Sequence, residues 1–262
     1  MSIPIQLLSL SYQYPQKKVS GIDHVLALNQ INYEFEKGKT YALLGHNGAG
    51  KTTLLRLLAS SLTLPTSKSL NKPDWAQNQF IGALLEQPGF YKHQSALEYL
   101  EFFASLYPHS MSQAEIIELC DYFQFKDLDK KCIKLSLGNK QKIQIIRSFL
   151  NFPQLILLDE PISNLDPQAQ SVFWNYLSLY TEKYQPCIIL SSHLLLNLPE
   201  IIDEVLVLKE GQLIRSVSSL ELKGSLIPQE FIQRFEELKS EFKMESIQLE
   251  FDFNRWFLEL SK

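Results

Sequence analysis

The stretch that decides the fold is Gly45-His46-Asn47-Gly48-Ala49-Gly50-Lys51-Thr52, which matches the pattern G-x-x-x-x-G-K-[ST] of phosphate-binding loops. An apolar run from Thr40 to Leu44 precedes it and is typical of a buried strand, and leucines at helical spacing follow it, from Leu54 to Leu58. The glycines allow successive backbone N–H groups to point inward, and the N-terminus of the following helix adds its partial positive charge. The stretch therefore predicts a cradle for phosphate groups.

Two side chains of this loop have a predicted chemical task. Lys51 is placed to reach the β- and γ-phosphates of a nucleotide, and Thr52 is placed to hold Mg²⁺ through its hydroxyl, with Thr53 as a second hydroxyl beside it. The alternative interpretation is a glycine-rich turn before an ordinary helix. The strand and helix on either side favour the phosphate loop.

A second strong signal is the apolar run Leu155 to Leu158, which is followed by Asp159, Glu160 and Pro161. The run predicts a buried parallel strand that delivers two carboxylates to the edge of the sheet, where Pro161 stops it. Asp159 could hold Mg²⁺ through its waters, and Glu160 could polarise the water that attacks a γ-phosphate. The alternative is a pair of acidic residues solvated in a loop.

Gln87 and His193 each follow a further apolar run, Phe80 to Leu85 and Cys187 to Leu190. Open α/β sheets gather their ligands at the carboxyl ends of parallel strands, so both side chains are expected at the same sheet edge. A glutamine there can be a simple turn residue, and a lone histidine is more often structural. The neighbouring phosphate motifs favour a contact between His193 and the γ-phosphate.

Three more residues have both a structural and a functional interpretation. Ser136, in Leu135-Ser136-Leu137-Gly138-Asn139, opens a helix predicted over Lys140 to Leu150 and is either a plain N-cap or part of a second anion-facing surface. Asp166 precedes Pro167 and is expected to cap another helix. Tyr14 could stack on an adenine ring, although a tyrosine at a strand end is more often simply packed.

The composition limits the function classes. At 262 residues and 45% hydrophobic content, the chain is long enough for one large α/β domain with a subdomain. The net charge of −4 disfavours a nucleic-acid partner. Cys120, Cys132 and Cys187 are an odd, widely spaced set, which predicts reduced thiols rather than disulfides or a zinc site. No apolar run is long enough for a membrane span and the amino end does not match a secretory signal, so we expect a cytosolic protein.

Secondary-structure patterns complete the expected organisation. Alternating residues between 5 and 36 predict an antiparallel β edge that leads into a parallel core, and helical patterns replace strands from Ala96 to Leu150. After about residue 215, a helical stripe from Pro228 to Met244 precedes an alternating strand that begins at Ile247. This tail either packs on its own domain or contacts a partner.

The order of these motifs closely resembles the nucleotide-binding subunit of ABC transporters, over roughly residues 5 to 215. The resemblance implies an α/β fold: a P-loop NTPase core with a mixed sheet, an antiparallel β edge subdomain and an inserted α-helical subdomain at about 89–150. It further implies an ABC-type ATP-binding domain over 1–220, and the helical and alternating patterns beyond it predict a helix-plus-strand extension over 221–262.

The resemblance also implies a mechanism in which two such subunits, expected as a homodimer, enclose two ATP molecules. Residue by residue, it implies that Tyr14 stacks on adenine, that the loop from Gly45 to Thr53 holds phosphate, that Thr52 and Asp159 hold Mg²⁺, and that Gln87 senses Mg²⁺ and the membrane partner. It implies that Ser136 and Gly138 touch the γ-phosphate of the facing subunit, that Glu160 is the catalytic base, that Asp166 couples the sites, and that His193 and Lys51 contact the γ-phosphate.

Residues 135–139, the signature turn, depart from the family pattern L-S-G-G-Q at Leu137 and Asn139, and Asn197 replaces a usual glutamate. None of these departures removes a catalytic group, so we expect an active ATPase, bound to a separate membrane-spanning permease at the cytoplasmic face of the cell membrane. The leucine variant resembles antibiotic- and peptide-exporting members and favours export. One alternative is a soluble ABC-type ATPase that acts on ribosomes, DNA or cofactor assembly. Another is an inactive regulatory subunit.

Overall fold

The computed structural model describes residues 3–14, 26–62, 69–85, 90, 93–192 and 201–218. The strands are β1 (Ile5–Gln13), β2 (Leu26–Phe35), β3 (Thr40–Leu44), β4 (Leu70–Asn71), β5 (Ile81–Leu84), β6 (Leu155–Leu158), β7 (Cys187–Ser192), β8 (Glu204–Lys209) and β9 (Gln212–Ser218). The helices are α1 (Lys51–Leu58), α2 (Ala96–Ser105), α3 (Gln113–Tyr122), α4 (Leu137–Arg147) and α5 (Pro167–Tyr184).

The larger sheet is mixed and has the strand order β5-β6-β7-β3-β8-β9. Its first five strands are parallel, and only β9 returns antiparallel, against β8. Every residue of β3, β6 and β7 is buried, as expected for parallel strands covered on both faces. The carboxyl ends of β3, β6 and β7 therefore lie side by side at one edge of the sheet.

The antiparallel strands near the amino end form a separate sheet of three strands, in the order β2-β1-β4. The sequence predicted the first two strands, but it did not predict β4, a two-residue strand at Leu70–Asn71 that pairs with Gln6 and Leu7. The apolar face of this three-stranded sheet packs with α1 in one hydrophobic cluster that includes Phe35, Tyr41 and Leu55.

Side-chain alternation along the central strands divides the core between the two faces of the larger sheet. In β6, Leu155 and Leu157 belong to the cluster around α1, whereas Ile156 and Leu158 belong to the cluster around α2, α3, α4 and α5. The two clusters cover opposite faces of the sheet, so the edge that bears the motifs is held by a core on each side.

The helical region has strong local start signals. Ser95 with Glu98 and Ser112 with Glu115 form complete capping boxes at the beginnings of α2 and α3. Helix α4 begins at Leu137, three residues before the predicted Lys140, because the Ser136 hydroxyl caps it. Helices therefore occupy this region between β5 and β6, as the resemblance implied for the fold.

All three cysteines are free and buried, as the sequence predicted. Over the described part of the chain, none of the helices combines the length and the apolar character needed to cross a bilayer. The predicted extension at 221–262 lies outside the described residues.

Candidate nucleotide site

The phosphate loop connects β3 to α1 with backbone angles that suit glycine. Gly48 and Gly50 have φ values of 84° and 105°, in the left-handed region that L-amino acids with side chains rarely adopt. A Cβ on Gly45 would lie 2.4 Å from the carbonyl oxygen of Leu208, so no larger residue fits there. The N-cap position of α1 is Gly50, and no side chain caps the helix, so its first N–H groups face the loop. This geometry suits an anion.

Lys51 is almost fully buried, with 6% of its surface exposed. Its ammonium donates to the carbonyl oxygen of Gly45 at 2.6 Å and to that of His46 at 3.3 Å. Burial lowers the pKa of Lys51, and the carboxylates of Glu160 and Asp159 act in the opposite direction. The loop carbonyls therefore hold a desolvated cation inside the cradle, where a phosphate would be a stronger partner.

A chain of hydrogen bonds joins the phosphate loop to β6 and β7. The Thr52 hydroxyl donates to Asp159 Oδ2 at 2.6 Å, and the Ser191 hydroxyl donates to Asp159 Oδ1 at 2.5 Å. Because Thr52 gives its proton to Asp159, its oxygen lone pairs remain for a cation. Within the described ranges, His, Cys, Asp and Glu side chains form no metal-holding group of three or more. A hydroxyl and one carboxylate are what Mg²⁺ requires when phosphates and water complete its shell.

Glu160 leaves the end of β6 with an unusual backbone conformation. Its φ of 50° lies in the left-handed region, and Pro161 restricts the residue further. The Glu160 N–H donates to Ser191 Oγ at 2.9 Å, and the Asp159 N–H donates to the Leu84 carbonyl at 2.6 Å. The structure thus places both predicted carboxylates beside the phosphate loop, on a turn fixed by neighbouring strands.

The hydroxyl of Ser136 is engaged within its own chain. It accepts the N–H of Asn139 at 3.2 Å as the N-cap of α4, while the Leu137 side chain is 52% exposed. Leu137 lies in the helix, so the leucine in place of glycine meets no unfavourable φ angle. A Cβ on Gly138 would approach the Asn164 carbonyl to 3.2 Å, so the turn also packs closely on its own chain.

Asp166 is the N-cap of α5, and its carboxylate accepts the Ala169 N–H at 2.9 Å, with Pro167 at the first helical position. The predicted cap is confirmed. The Gln170 side chain donates to the carbonyls of Leu165 and Ile162, at 3.0 and 3.4 Å. These bonds fix the segment between α5 and the two carboxylates, Asp159 and Glu160.

Tyr14 lies next to α1. Its hydroxyl is 3.2 Å from the Thr53 hydroxyl, and Arg56 Nη1 donates to it at 3.4 Å. The Tyr12 ring meets it edge to face, with centroids 5.1 Å apart. The ring is therefore held near the first turn of the phosphate-loop helix.

Gln87 and His193 lie outside the described residues, so their predicted contacts remain predictions. The sequence did not single out Ser191, which precedes His193 by two residues and bonds both Asp159 and Glu160. Its only signal was a pair of serines, Ser191 and Ser192, continuing an otherwise aliphatic strand.

Comparison with known proteins agrees with this geometry. Residues 28–163 match the family model described as ABC transporter. An uncharacterized ABC transporter ATP-binding protein of Bacillus subtilis, YcbN, is 32% identical over 86% of this chain and 72% of its own length. The bacitracin transport ATP-binding protein BcrA of Enterococcus faecalis is 32% identical over 85% of this chain and 71% of its own length.

Among solved structures, the dimeric structure of MJ0796, a bacterial ABC transporter cassette, has the same fold. It superposes with a TM-score of 0.70 at 21% identity, over 82% of this chain and 98% of the other. The matched sequence segment spans the phosphate loop, the signature turn and the two carboxylates. The chain therefore belongs to the ABC transporter family, as an ATP-binding subunit that hydrolyses ATP.

Proposed function

We propose that this subunit uses Lys51, Thr52, Asp159 and Glu160 to hydrolyse ATP with Mg²⁺ and drives export through a separate permease. The observation that carries the proposal is the hydrogen-bonded link from Thr52 to Asp159, with the buried Lys51 on one side and Glu160 on the other. These four side chains come from two distant segments that the sheet brings to one edge.

The loop residues 45–53 would bind the phosphates, and each side chain has a defined part. Lys51 would exchange its two carbonyl partners for the β- and γ-phosphate oxygens, and Thr52 and Asp159 would hold Mg²⁺. When bound, Mg²⁺ neutralises charge on the phosphate oxygens. Glu160 would accept a proton from the attacking water, with Gln87 and His193 contacting Mg²⁺ and the γ-phosphate. Tyr14 would stack on the adenine.

A second copy would complete each site. Ser136 and Gly138 would face the γ-phosphate bound by the other subunit, with the N-terminus of α4 contributing its partial positive charge. The Ser136 hydroxyl would keep its cap bond while its proton turns to the phosphate, because a hydroxyl can donate and accept together. Asp166, in the segment between the carboxylates and α5, would couple the two ATP sites of the dimer. The dimeric structure of the similar cassette supports this arrangement.

The similar proteins and the signature turn support three further parts of the proposal. These are export, a separate permease and a position at the cytoplasmic face of the membrane. BcrA, the relative from Enterococcus faecalis, is by name a bacitracin transport ATP-binding protein. Leu137, exposed at the start of α4, is the variant that suggested exporting members.

The first prediction concerns Glu160→Gln, which removes the proposed base and keeps the side-chain shape. We expect ATP hydrolysis to fall at least ~100-fold, the lower end of the usual range for a positioned base, while ATP affinity stays within about threefold. Phosphate release and equilibrium binding of ATP measure the two effects. Glu182→Gln, the same change at an exposed position of α5, is the matched control and should hydrolyse ATP at the wild-type rate.

The same variant also tests the partners. Glu160→Gln with ATP and Mg²⁺ should accumulate as a dimer in sedimentation, and from gently solubilised membranes it should recover a multi-spanning protein in stoichiometric amount. Recovery of ribosomes or nucleic acid in place of such a protein would contradict the transporter assignment. Unchanged hydrolysis by the variant would contradict Glu160 as the base.

A further inference from the structure

Ser191 lies at the junction of the three strands that build the site. It is fully buried in β7, and β7 lies between β3 and β6 in the sheet. Within the register it pairs with Leu43 on one side, while on the other side β6 has just ended, because Leu158 pairs with Leu190. The Ser191 hydroxyl therefore faces the point where Asp159 and Glu160 leave the sheet.

We propose that Ser191 is a positioning residue for ATP hydrolysis, whose single hydroxyl fixes the Asp159 carboxylate and the Glu160 backbone relative to each other. The inference deepens the proposed function, because it rests on Glu160 as the base. The distances are 2.5 Å from Ser191 Oγ to Asp159 Oδ1 and 2.9 Å from the Glu160 nitrogen to Ser191 Oγ.

The hydrogen-bond directions leave no alternative at this hydroxyl. A serine has one proton, and an ionised carboxylate only accepts, so the Ser191 proton goes to Asp159. The oxygen of Ser191 then accepts the N–H of Glu160. The second oxygen of Asp159 accepts a hydrogen bond from the Thr52 hydroxyl, so both carboxylate oxygens have fixed donors. The carboxylate cannot rotate without losing a bond, and it faces the proposed Mg²⁺ position in one orientation.

The same hydroxyl holds a strained turn. Glu160 has a φ of 50° and precedes a proline, a strained conformation that persists only when its surroundings enforce it. Without the Ser191 oxygen, the Glu160 N–H loses its partner and the turn loses a restraint. A displacement of the Glu160 carboxylate by about 1 Å is enough to lower a rate on the order of 100-fold.

The test compares Ser191→Ala with Ser191→Thr, which keeps the hydroxyl on a β-branched side chain suited to a strand. We expect kcat of the alanine variant to fall about 10- to 100-fold, while KM for ATP and the affinity for ATP in EDTA stay within about threefold. The threonine variant should recover most of the lost kcat. Loss of folded protein also lowers the apparent kcat without changing KM, so kcat is calculated per ATP-binding site counted by equilibrium titration.

Thr40→Val is the matched control, because it removes a hydroxyl from the neighbouring strand β3. The Thr40 hydroxyl is buried and has no hydrogen-bond partner among the described residues, and it lies at the opposite end of β3 from the site. This variant should show wild-type kcat and KM. Should Ser191→Ala fail to fold, Ser191→Cys provides a similar size with a weaker hydrogen-bonding group, and the same separation of kcat from KM is expected.

Assaying Glu160→Gln in parallel separates the positioning role of Ser191 from the role of Glu160 as the base. If Glu160→Gln is inactive and Ser191→Ala hydrolyses ATP at the wild-type rate, the role of Ser191 is wrong and the base assignment stands. If Glu160→Gln is fully active, the base assignment itself is wrong. In the double variant, Ser191→Ala should add little to the loss caused by Glu160→Gln, because the base that Ser191 positions has already been removed.

Discussion

Tyr14 shows how one side chain can be positioned before its ligand arrives. Its hydroxyl contacts Thr53 and Arg56, and Tyr12 holds its ring edge to face. The hydroxyl contacts α1, whereas the proposed stacking on adenine would use the face of the ring. We therefore expect the stacking to depend on the ring and not on the hydroxyl. This separation can be tested at the single residue.

We expect Tyr14→Ala to weaken ATP binding by roughly 5- to 100-fold, since stacking of a base on an aromatic ring contributes about 1–3 kcal/mol. Tyr14→Phe keeps the ring and should bind within about threefold of wild type. Fluorescence titration with an ATP analogue labelled on the ribose measures both. Equal affinities for the alanine variant and wild type would exclude the stacking role.

Residue-level prediction from sequence succeeded where a motif carries its own chemistry. The cap at Asp166 follows from an acid before a proline, and the structure confirms it. Ser191 could not be found in this way, because a serine in a strand has no pattern of its own. Its importance comes from the register of β7 against β3 and β6, which a sequence read along the chain does not contain.

At the scale of elements, one contact fixes how the helical region meets the sheet. Gly82, in the middle of β5, lies so close to the end of α4 that a Cβ would be 1.8 Å from the Ser148 carbonyl oxygen and 2.8 Å from Pro153 Cγ. Backbone contacts of this kind cannot be relieved by a change of rotamer. β5 and the C-terminal end of α4 therefore need glycine at this position.

We predict that Gly82→Ala lowers the free energy of unfolding by about 3 kcal/mol or more, the upper range for overpacking a core. Gly38→Ala adds the same methyl group where the nearest atom is 3.9 Å away and only the φ of 82° is unfavourable, so it should cost about 1 kcal/mol. Urea denaturation of both variants gives the comparison. Similar losses for the two would show that the close contact relaxes.

The elements themselves were predicted unevenly. The fully buried strand β6 and the first four residues of β7 are apolar runs, so the positions of both strands were evident within a residue or two. Strand β4 has only two residues and exists because β1 offers it an edge, so no local pattern marks it. The predicted start of α4 was too late because Gly138 is a weak helix former, whereas the Ser136 cap starts the helix at Leu137.

At the scale of the whole molecule, the core on the helical face holds titratable groups in their neutral form. Cys120 is fully buried in α3, and burial, with a smaller effect of Asp121, raises the pKa of its thiol from 9.0 to about 12. The unfolded chain loses this proton at a lower pH than the folded chain. The contribution of the thiol to stability is therefore complete below about pH 9 and is lost as the pH rises towards 12.

The corresponding prediction compares wild type with Cys120→Ala at pH 8 and pH 10. The alanine variant is less stable at pH 8, and the difference should narrow by about 1.4 kcal/mol at pH 10, because only wild type carries the proton-linked loss. Leu119→Ala, a neighbouring change without a titratable group, should show the same deficit at both pH values. A constant difference for Cys120→Ala would contradict the raised pKa.

The fold class came from the combination of motifs and not from periodicity alone. Apolar runs predicted a parallel sheet, but nothing in their spacing places β7 between β3 and β6, or β8 beyond β3. That order became predictable only through the family resemblance, and the solved cassette has the same fold. The contacts between the two carboxylates and the phosphate loop follow from this order.

The strand order also has a consequence for how the protein is made. Strands β3 and β6 carry the phosphate loop and the carboxylates, yet they are joined only through β7, which leaves the ribosome after both. In a nascent chain that ends before Cys187, β6 can pair only with β5, and β3 has neither β7 nor β8 beside it. The sheet therefore brings the phosphate loop and the carboxylates together only after β7 has been synthesised, and the stabilisation that ATP gives by binding to the complete site begins at that stage.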